Sequence, residues 1–250
     1  ALLNSHEPLD LLILMLGTND SKVKFNTDAR KIAKGMQILL EEAKSVHCWG
    51  KNGPKILSSL LTVLLVAYGG YIIHAAVVYS STVKVLAGIS PVQFFKGMAP
   101  AMMMAFSSAS SVGALPFNME CTERLGARRE VSSFVLPLGA TINMDGTAIY
   151  QGVCSVFIAS CFGVYLTLGN MVTIVLTATL ASIGTAGVPG AGMVMLTMVL
   201  TALNIPVDYI GLIVAVDRLF DMGRTCLNVT GDIACSVCVT HWEKGRNSAS

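Results

Sequence analysis

The segment Pro137-Leu-Gly-Ala-Thr-Ile-Asn-Met-Asp-Gly-Thr147 interrupts an apolar run with an amide, a carboxylate and a glycine. No Asp, Glu, Lys or Arg occurs from Gly146 to Val207, so Asp145 stands at the edge of a long charge-free stretch. A carboxylate in such surroundings is costly to bury unless a specific partner compensates it. Gly146 and the polar run predict local unwinding of a helix, which would leave the carbonyls of residues 139–143 free. Free carbonyls beside a carboxylate are typical of a cation site.

The composition indicates a mainly α integral membrane protein. Of the 250 residues, 53% are hydrophobic and 13% are charged, and the mean hydropathy is +0.65. Soluble domains average roughly 45–50% apolar and about 25% charged residues. The net charge is +2, and the basic residues lie in short clusters that flank apolar segments. Such clusters are topology signals, and no nucleic-acid partner is expected.

Residues 1–50 differ from the rest and predict a short soluble α/β fragment, with a strand, a Gly-Thr-Asn-Asp turn and a helix. The run Pro8-Leu-Asp-Leu-Leu-Ile-Leu-Met-Leu-Gly-Thr-Asn-Asp20 resembles a block of the SGNH (GDSL-type) esterases. The resemblance implies that Asn19 would donate to an oxyanion, but the nucleophile and histidine blocks of that family are absent from the chain. We therefore expect no enzyme activity. Residues 51–55 form a polar junction.

From residue 56 onwards, apolar segments alternate with breaks, and five membrane segments are expected. They are a transmembrane helix at 56–88, a re-entrant hairpin at 91–118, an unwound transmembrane helix at 128–167, a second re-entrant hairpin at 170–204 and a last transmembrane helix at 207–241. The first is free of formal charge from Ile56 to Val83, long enough to cross a bilayer. His74 within it is expected to be a hydrogen-bonded packing residue, with a proton relay as the alternative.

Both hairpins are predicted from breaks that separate two apolar halves. The first break is the serine- and glycine-containing run 107–116, and the second is the glycine- and proline-containing run 181–192. Exposed backbone at a hairpin tip is tolerated where it lines a cavity. Paired interrupted segments point to the binding site of a secondary transporter. The alternative for the first break is a kink that packs small side chains between helices.

The last segment carries a polar stripe. Asp221, Thr225, Asn228 and Asp232 recur at spacings of three and four, with Arg224 one position round the helix. The opposite face is apolar, which favours a site inside the membrane over the alternative of a solvated amphipathic helix.

From Ile56 to the end, the chain is similar to the dicarboxylate/amino-acid:cation symporters, the family of the glutamate transporters. The motifs that carry the resemblance are Asn143-Met-Asp-Gly-Thr147, Ser182-Ile-Gly-Thr-Ala-Gly-Val-Pro-Gly-Ala-Gly192 and Asp221-Met-Gly-Arg-Thr-Cys-Leu-Asn-Val-Thr-Gly-Asp232. The resemblance implies a glutamate-transporter-type transport domain at 56–250, without the preceding scaffold helices. It also implies a multi-pass protein of the cell inner (plasma) membrane, a homotrimer for the full-length family, and sodium- or proton-coupled symport.

The resemblance also assigns a substrate site. Arg224 would pair with the side-chain carboxylate of the substrate and Asp221 with its amino group, which favours aspartate or glutamate over a plain dicarboxylate. The implied substrate-binding residues are Ser111, Thr147, Val188, Gly192, Asp221, Arg224, Thr225 and Asn228.

Three sodium sites are implied in the same way. The first would use Gly139, Asn143, Asn228 and Asp232, and the second would use Thr141 with the carbonyls of Ser182, Ile183 and Thr185. The third would use Asn143 and Asp145 with polar residues of a helix that precedes this chain. The alternatives for the whole chain are an SGNH-type esterase tethered to a membrane segment and a non-functional fusion.

Overall fold

The computed structural model describes residues 53–214 and 216–247, in which all regular structure is helical. The mainly α prediction is confirmed for these residues. The strand, turn and helix expected in residues 1–50 lie outside the described part of the chain.

Contacts divide the chain into two compact units, residues 1–61 and 62–250, and every contact given below lies within the second. The helices are α1 Gly53–His74, a π-helical turn Ala75–Tyr79, α2 Ser80–Ala87, α3 Pro91–Ser108, α4 Ser111–Arg124, α5 Arg129–Ile142, α6 Asp145–Cys161, α7 Leu168–Ser182, α8 Ala191–Ala202, a 3-10 turn Val207–Ile210, α9 Gly211–Val214 and α10 Asp217–Asn247.

Helix α1, the π-helical turn and α2 form one continuous helical segment. By length and composition, Ser59–Ala87 is the one stretch of the described helices that could cross a membrane, with a mean hydropathy of 2.0. Most of its large apolar side chains are exposed, including Leu65, Ile72 and Val85. The π-helical turn places side chains five positions apart on the same side of the helix. His74 and Tyr79 consequently meet edge to face, with their ring centroids 5.0 Å apart.

Two pairs of consecutive helices pack against each other around short breaks. In the first pair, α3 and α4, the break is Ala109 and Ser110, which we call the first tip. Ala109 adopts a left-handed conformation with φ 53°, and the Ser110 hydroxyl caps α4 by accepting from the amide of Gly113. In the second pair, α7 and α8, the break is residues 183–190, which we call the second tip.

The helix expected to unwind is divided into α5 and α6 by Asn143 and Met144. The expectation that the carbonyls of residues 139–143 are free is wrong for three of them. Gly139 accepts from the amide of Asn143 at 2.8 Å, Ile142 from Met144 at 3.2 Å, and Thr141 from Gly184 of the second tip at 2.8 Å. The bond to Gly139 is the ordinary helical one, whereas Thr141 and Ile142 have lost their helical donors and accept from other amides. The backbone therefore turns tightly instead of opening.

Helix α10 is the core of the fold, since it contacts α2, α3, α4, α5 and α6. Glycines allow the closest of these approaches. A Cβ at Gly223 would meet the ring of Tyr71 at 2.9 Å, and a Cβ at Gly231 would overlap with the hydroxyl of Tyr79. A Cβ at Gly146 would overlap with the backbone of Arg224, so α6 begins directly against α10. The polar stripe of α10 therefore faces the protein interior.

Candidate functional site: a buried pocket between two helix tips

The two helix tips meet over the polar stripe of α10. Gly187 of the second tip accepts from the Ser110 hydroxyl at 2.9 Å and from the Val112 amide at 3.2 Å. Beneath this contact lies a small pocket, and the structure places all eight predicted substrate-binding residues in its lining. The pocket has a volume of about 10 Å³, about the space of one water molecule. The two tips are in contact above this pocket, which in this structure has little more than the space of a water molecule.

Arg224 is the largest fully buried side chain among the described residues, with 2% of its surface exposed. Its Nε donates to Asp221 Oδ1 at 2.9 Å, and its Nη2 lies 2.9 Å from the same oxygen. Its Cζ lies 4.5 Å from the centroid of the Tyr150 ring, a cation–π contact. Among the described residues, neither Nη1 nor Nη2 has a hydrogen-bond partner. Both nitrogens are nonetheless ion-paired, because Nη2 faces Asp221 Oδ1 and Nη1 lies 3.5 Å from Asp217 Oδ1. Neither contact has hydrogen-bond geometry, so the donor capacity of both nitrogens is unused within the described residues.

Asp217 and Tyr150 complete the surroundings of the guanidinium, and neither was predicted as a site residue. Asp217 Oδ1 lies 3.5 Å from Arg224 Nη1 and accepts from the Tyr150 hydroxyl at 2.8 Å. Asp217 precedes Asp221 by one helical turn, so its spacing could have added it to the stripe. Tyr150 carries no such sequence signal, because its place beside Arg224 depends on the packing of α6 against α10.

Asp221 connects α10 to the second tip. Its Oδ2 accepts from the backbone amide of Gly190 at 2.7 Å, and its Oδ1 accepts from the Thr225 hydroxyl at 3.4 Å. Gly190 has a left-handed backbone with φ 82°, which favours glycine. The carboxylate is thus oriented by groups on both sides of the pocket.

Asn228 connects α10 to the beginning of α6. Its Oδ1 accepts from the Gly146 amide at 2.8 Å, and its Nδ2 lies 3.4 Å from the Thr147 hydroxyl. Both Asn228 and Thr147 are buried. These contacts hold the break between α5 and α6 against the stripe of α10.

The residues predicted for the first sodium site also lie together. Asn143 Nδ2 donates to the Asn228 carbonyl and to Asp232 Oδ1, both at 3.1 Å, and a Cβ at Gly139 would overlap with Asp232 Oδ1. Asp232 is completely buried, and its Oδ2 has no hydrogen-bond partner in the described part of the chain. An unsatisfied buried carboxylate oxygen beside backbone carbonyls fits a hard cation such as sodium.

The residues predicted for the second sodium site are neighbours, but their carbonyls are partly engaged. Thr141 accepts from the Gly184 amide, and Ser182 accepts from the Thr185 amide at 3.1 Å. The Thr185 hydroxyl donates to the Ala181 carbonyl, and the Ile183 side chain is exposed. A carbonyl oxygen has two lone pairs, so Thr141 and Ser182 each retain acceptor capacity.

Asp145, predicted for the third sodium site, has partners within this chain. Its Oδ2 accepts from the Tyr79 hydroxyl at 2.7 Å and lies 3.1 Å from His74 Nε2. His74 is thus hydrogen-bonded, which both the packing interpretation and the proton-relay alternative allow. No group of three or more His, Cys, Asp and Glu side chains suited to a metal ion occurs in the described residues. A cation here would be held largely by amide, hydroxyl and carbonyl oxygens.

Comparison with known proteins shows the family to which the chain belongs. The sodium:dicarboxylate symporter family model matches residues 43–242, so the chain belongs to that family. An excitatory amino acid transporter of Caenorhabditis elegans is 42% identical over 208 residues, which cover 83% of this chain and 41% of the relative. Excitatory amino acid transporter 2 of Homo sapiens is 45% identical over 186 residues, 74% of this chain and 32% of the relative. Excitatory amino acid transporter 3 of Mus musculus is 42% identical over 179 residues, which cover 71% of this chain and 34% of the relative.

The family membership makes the chain a membrane protein of a transporter family, not an enzyme. The esterase alternative receives no support from these relatives. The family match begins at residue 43, within the segment that resembles an esterase. The matched part spans about a third to two fifths of the length of the relatives.

Proposed function

We propose that this chain is the transport-domain part of a sodium-coupled symporter for acidic amino acids, with aspartate or glutamate as the substrate and a related dicarboxylate as the weaker alternative. The observation that carries the proposal is Arg224. Its guanidinium is buried at the pocket and is ion-paired with Asp217 and Asp221, while among the described residues neither terminal nitrogen makes a hydrogen bond. A buried donor without a partner costs free energy, and a substrate carboxylate would satisfy both nitrogens at once.

Asp221 supports an amino acid over a plain dicarboxylate. Its carboxylate lies in the same pocket as Arg224, within reach of the second tip. An ammonium group bound beside it would be neutralised, whereas a dicarboxylate would bring like charges together. Thr147, Thr225 and Asn228 line the remaining wall and offer hydroxyl and amide groups.

The coupling ion that we propose is sodium, with a proton as the alternative. Asp232, Asn143, Asn228 and Gly139 would hold one cation, since the buried Oδ2 of Asp232 has no partner among the described residues. A bound cation supplies positive charge that offsets buried carboxylates. Two further cation sites are candidates. One would use Thr141 with the carbonyls of Ser182, Ile183 and Thr185, and the other would use Asp145 with Asn143. Because the second tip contacts both Thr141 and Asp221, its closure would depend on cation and substrate together.

The architecture that we propose around this site is that of the family. The two helix pairs would be re-entrant hairpins, since α7 and α8, of 15 and 12 residues, are shorter than the roughly 20 residues that span a bilayer. The protein would be a multi-pass protein of the plasma membrane and would assemble as a homotrimer when complete. Closing and opening of the second tip would gate the pocket.

Binding of aspartate to the purified chain in detergent tests the proposal. Calorimetric titrations in sodium chloride and in choline chloride should show binding that requires sodium. Arg224→Ala should abolish aspartate binding, because it removes the carboxylate partner. Arg124→Ala is the matched control, since Arg124 is exposed and pairs with Glu120 one turn away on α4. Unaltered aspartate affinity in Arg224→Ala, or equal affinity in choline, would refute the proposal.

A further inference from the structure

The π-helical turn of the first helical segment points two polar side chains at one carboxylate. His74 immediately precedes the turn and Tyr79 ends it. A side chain five residues along an α-helix would lie about 140° away round the axis, but the wider turn brings the two onto one side. Both reach Asp145, the first residue of α6, across sequence separations of 71 and 66 residues.

Both contacts end on the same oxygen atom. The Tyr79 hydroxyl donates to Asp145 Oδ2 at 2.7 Å, and His74 Nε2 lies 3.1 Å from that oxygen. Within the described residues, no hydrogen bond to Asp145 Oδ1 is found. Two contacts on Oδ2 restrain the position of that oxygen, and they leave Oδ1, on a side chain that is 38% exposed, for a different partner.

Tyr79 is itself held in place. Its side chain is 5% exposed, and its ring packs edge to face on the ring of His74. On its other side is Gly231 of α10, where a Cβ would overlap with both the Tyr79 hydroxyl and Asn143 Nδ2. The hydroxyl is therefore confined between α10 and the break that precedes α6. Such restricted groups are suited to orienting a ligand precisely because their own rotamers are locked.

Asp145 is close along the chain to a residue predicted for the first sodium site. Asn143 lies two residues before Asp145 and donates to Asp232 and to the Asn228 carbonyl. We propose that Tyr79 and His74 are positioning residues that hold Oδ2 of Asp145 and thereby present its Oδ1 to a sodium ion. This inference rests on the proposed function and deepens it, because it names two side chains of this chain that orient one of the expected sodium ligands.

The physical basis is the orientation of a ligand by groups that do not touch the ion. Partners that hydrogen-bond to metal ligands fix their geometry, and their loss typically costs about 10–100-fold in metal affinity. A purely structural hydrogen bond would behave differently. Its loss would lower the stability of the protein with or without sodium, while the sodium concentration for half-maximal effect would stay the same.

Sodium-dependent thermal stabilisation of the purified full chain separates these two roles. The melting temperature is followed in detergent while sodium chloride replaces choline chloride at constant ionic strength and pH, without any substrate. Tyr79→Phe removes the hydroxyl and keeps the ring, and we expect it to raise the half-maximal sodium concentration by about tenfold or more. Tyr68→Phe is the matched control, because that hydroxyl donates to the Leu219 carbonyl away from Asp145.

His74 provides a second and independent comparison. His74→Leu removes the contact to Asp145 and should also raise the half-maximal sodium concentration, whereas His74→Gln keeps a donor and should restore part of it. If Tyr79→Phe and His74→Leu both melt at lower temperatures but keep the wild-type sodium midpoint, the positioning role is refuted and the proposed function stands. If the wild-type chain shows no sodium-dependent shift, sodium coupling itself fails and the positioning role fails with it.

Discussion

Gly192, the second residue of α8, lies directly against the guanidinium of Arg224, and a Cβ at this glycine would overlap with Nη1 and Cζ. The backbone at the beginning of α8 thus lies too close to the guanidinium of Arg224 to leave room for a side chain. No other residue type fits this position while Arg224 keeps its place between Asp217, Asp221 and Tyr150.

Replacing Gly192 therefore tests the pocket. We expect Gly192→Ala to weaken aspartate binding by at least about tenfold, or ~1.4 kcal/mol, because the new methyl group displaces the guanidinium. Calorimetric titration of the purified chain in sodium chloride measures the effect. Gly152→Ala is the control, since its Cβ would meet nothing closer than Ile174 at 4.0 Å. Equal affinities in the two variants would contradict the expected contact.

Asp232 is the residue with which the first cation site can be tested. Asp232→Asn keeps the shape of the side chain but removes the negative charge. We therefore expect the half-maximal sodium concentration to rise by more than about tenfold. The loss of a group that merely orients a metal ligand already costs about that much affinity, and Asp232 is proposed as a ligand itself. Sodium-dependent melting of the purified chain gives this value. Asp208→Asn, which changes an exposed aspartate in the 3-10 turn, should leave it unchanged. A wild-type sodium midpoint in Asp232→Asn would exclude this carboxylate as a ligand.

Ser110 joins the two tips, and its loss should loosen them. Ser110→Ala removes the cap of α4 and the bond to the Gly187 carbonyl, and a lost helix cap alone costs about 0.5–2 kcal/mol. Faster amide hydrogen exchange is expected in residues 183–190, measured by mass spectrometry. Ser107→Ala is the matched control, because its hydroxyl donates only to the Met104 carbonyl within α3. Unchanged exchange in Ser110→Ala would show that other contacts hold the tips.

Tyr150 supports Arg224 in two separable ways. Tyr150→Phe keeps the ring beneath the guanidinium but removes the hydroxyl that donates to Asp217. Hydrogen bonds to charged groups contribute about 1.5–3 kcal/mol, and we expect a loss of stability in this range from chemical unfolding. Tyr150→Leu should lose more, because the cation–π contact disappears as well. If the two variants had equal free energies of unfolding, the contact between the ring and the guanidinium would not stabilise the protein.

Part of the site could be predicted because it lies on single helices. Asp221, Thr225, Asn228 and Asp232 share a face by their spacing alone, and the structure places that face in the interior. The break before Asp145 also follows from local preferences, since glycine and short polar residues weaken a helix. The number of free carbonyls at the break was not predictable, because the amide that satisfies Thr141 belongs to Gly184 of the second tip.

The sequence by itself determined a mainly α membrane chain, the positions of its helix breaks and the polar stripe of α10, because hydropathy, glycine and proline placement and helical spacing act locally. Only the tertiary structure decided which side chains surround the charged groups. Tyr150 meets Asp217 across 67 residues, and Tyr79 and His74 meet Asp145 across 66 and 71. Such contacts depend on how helices pack in space, and no spacing along the chain encodes them.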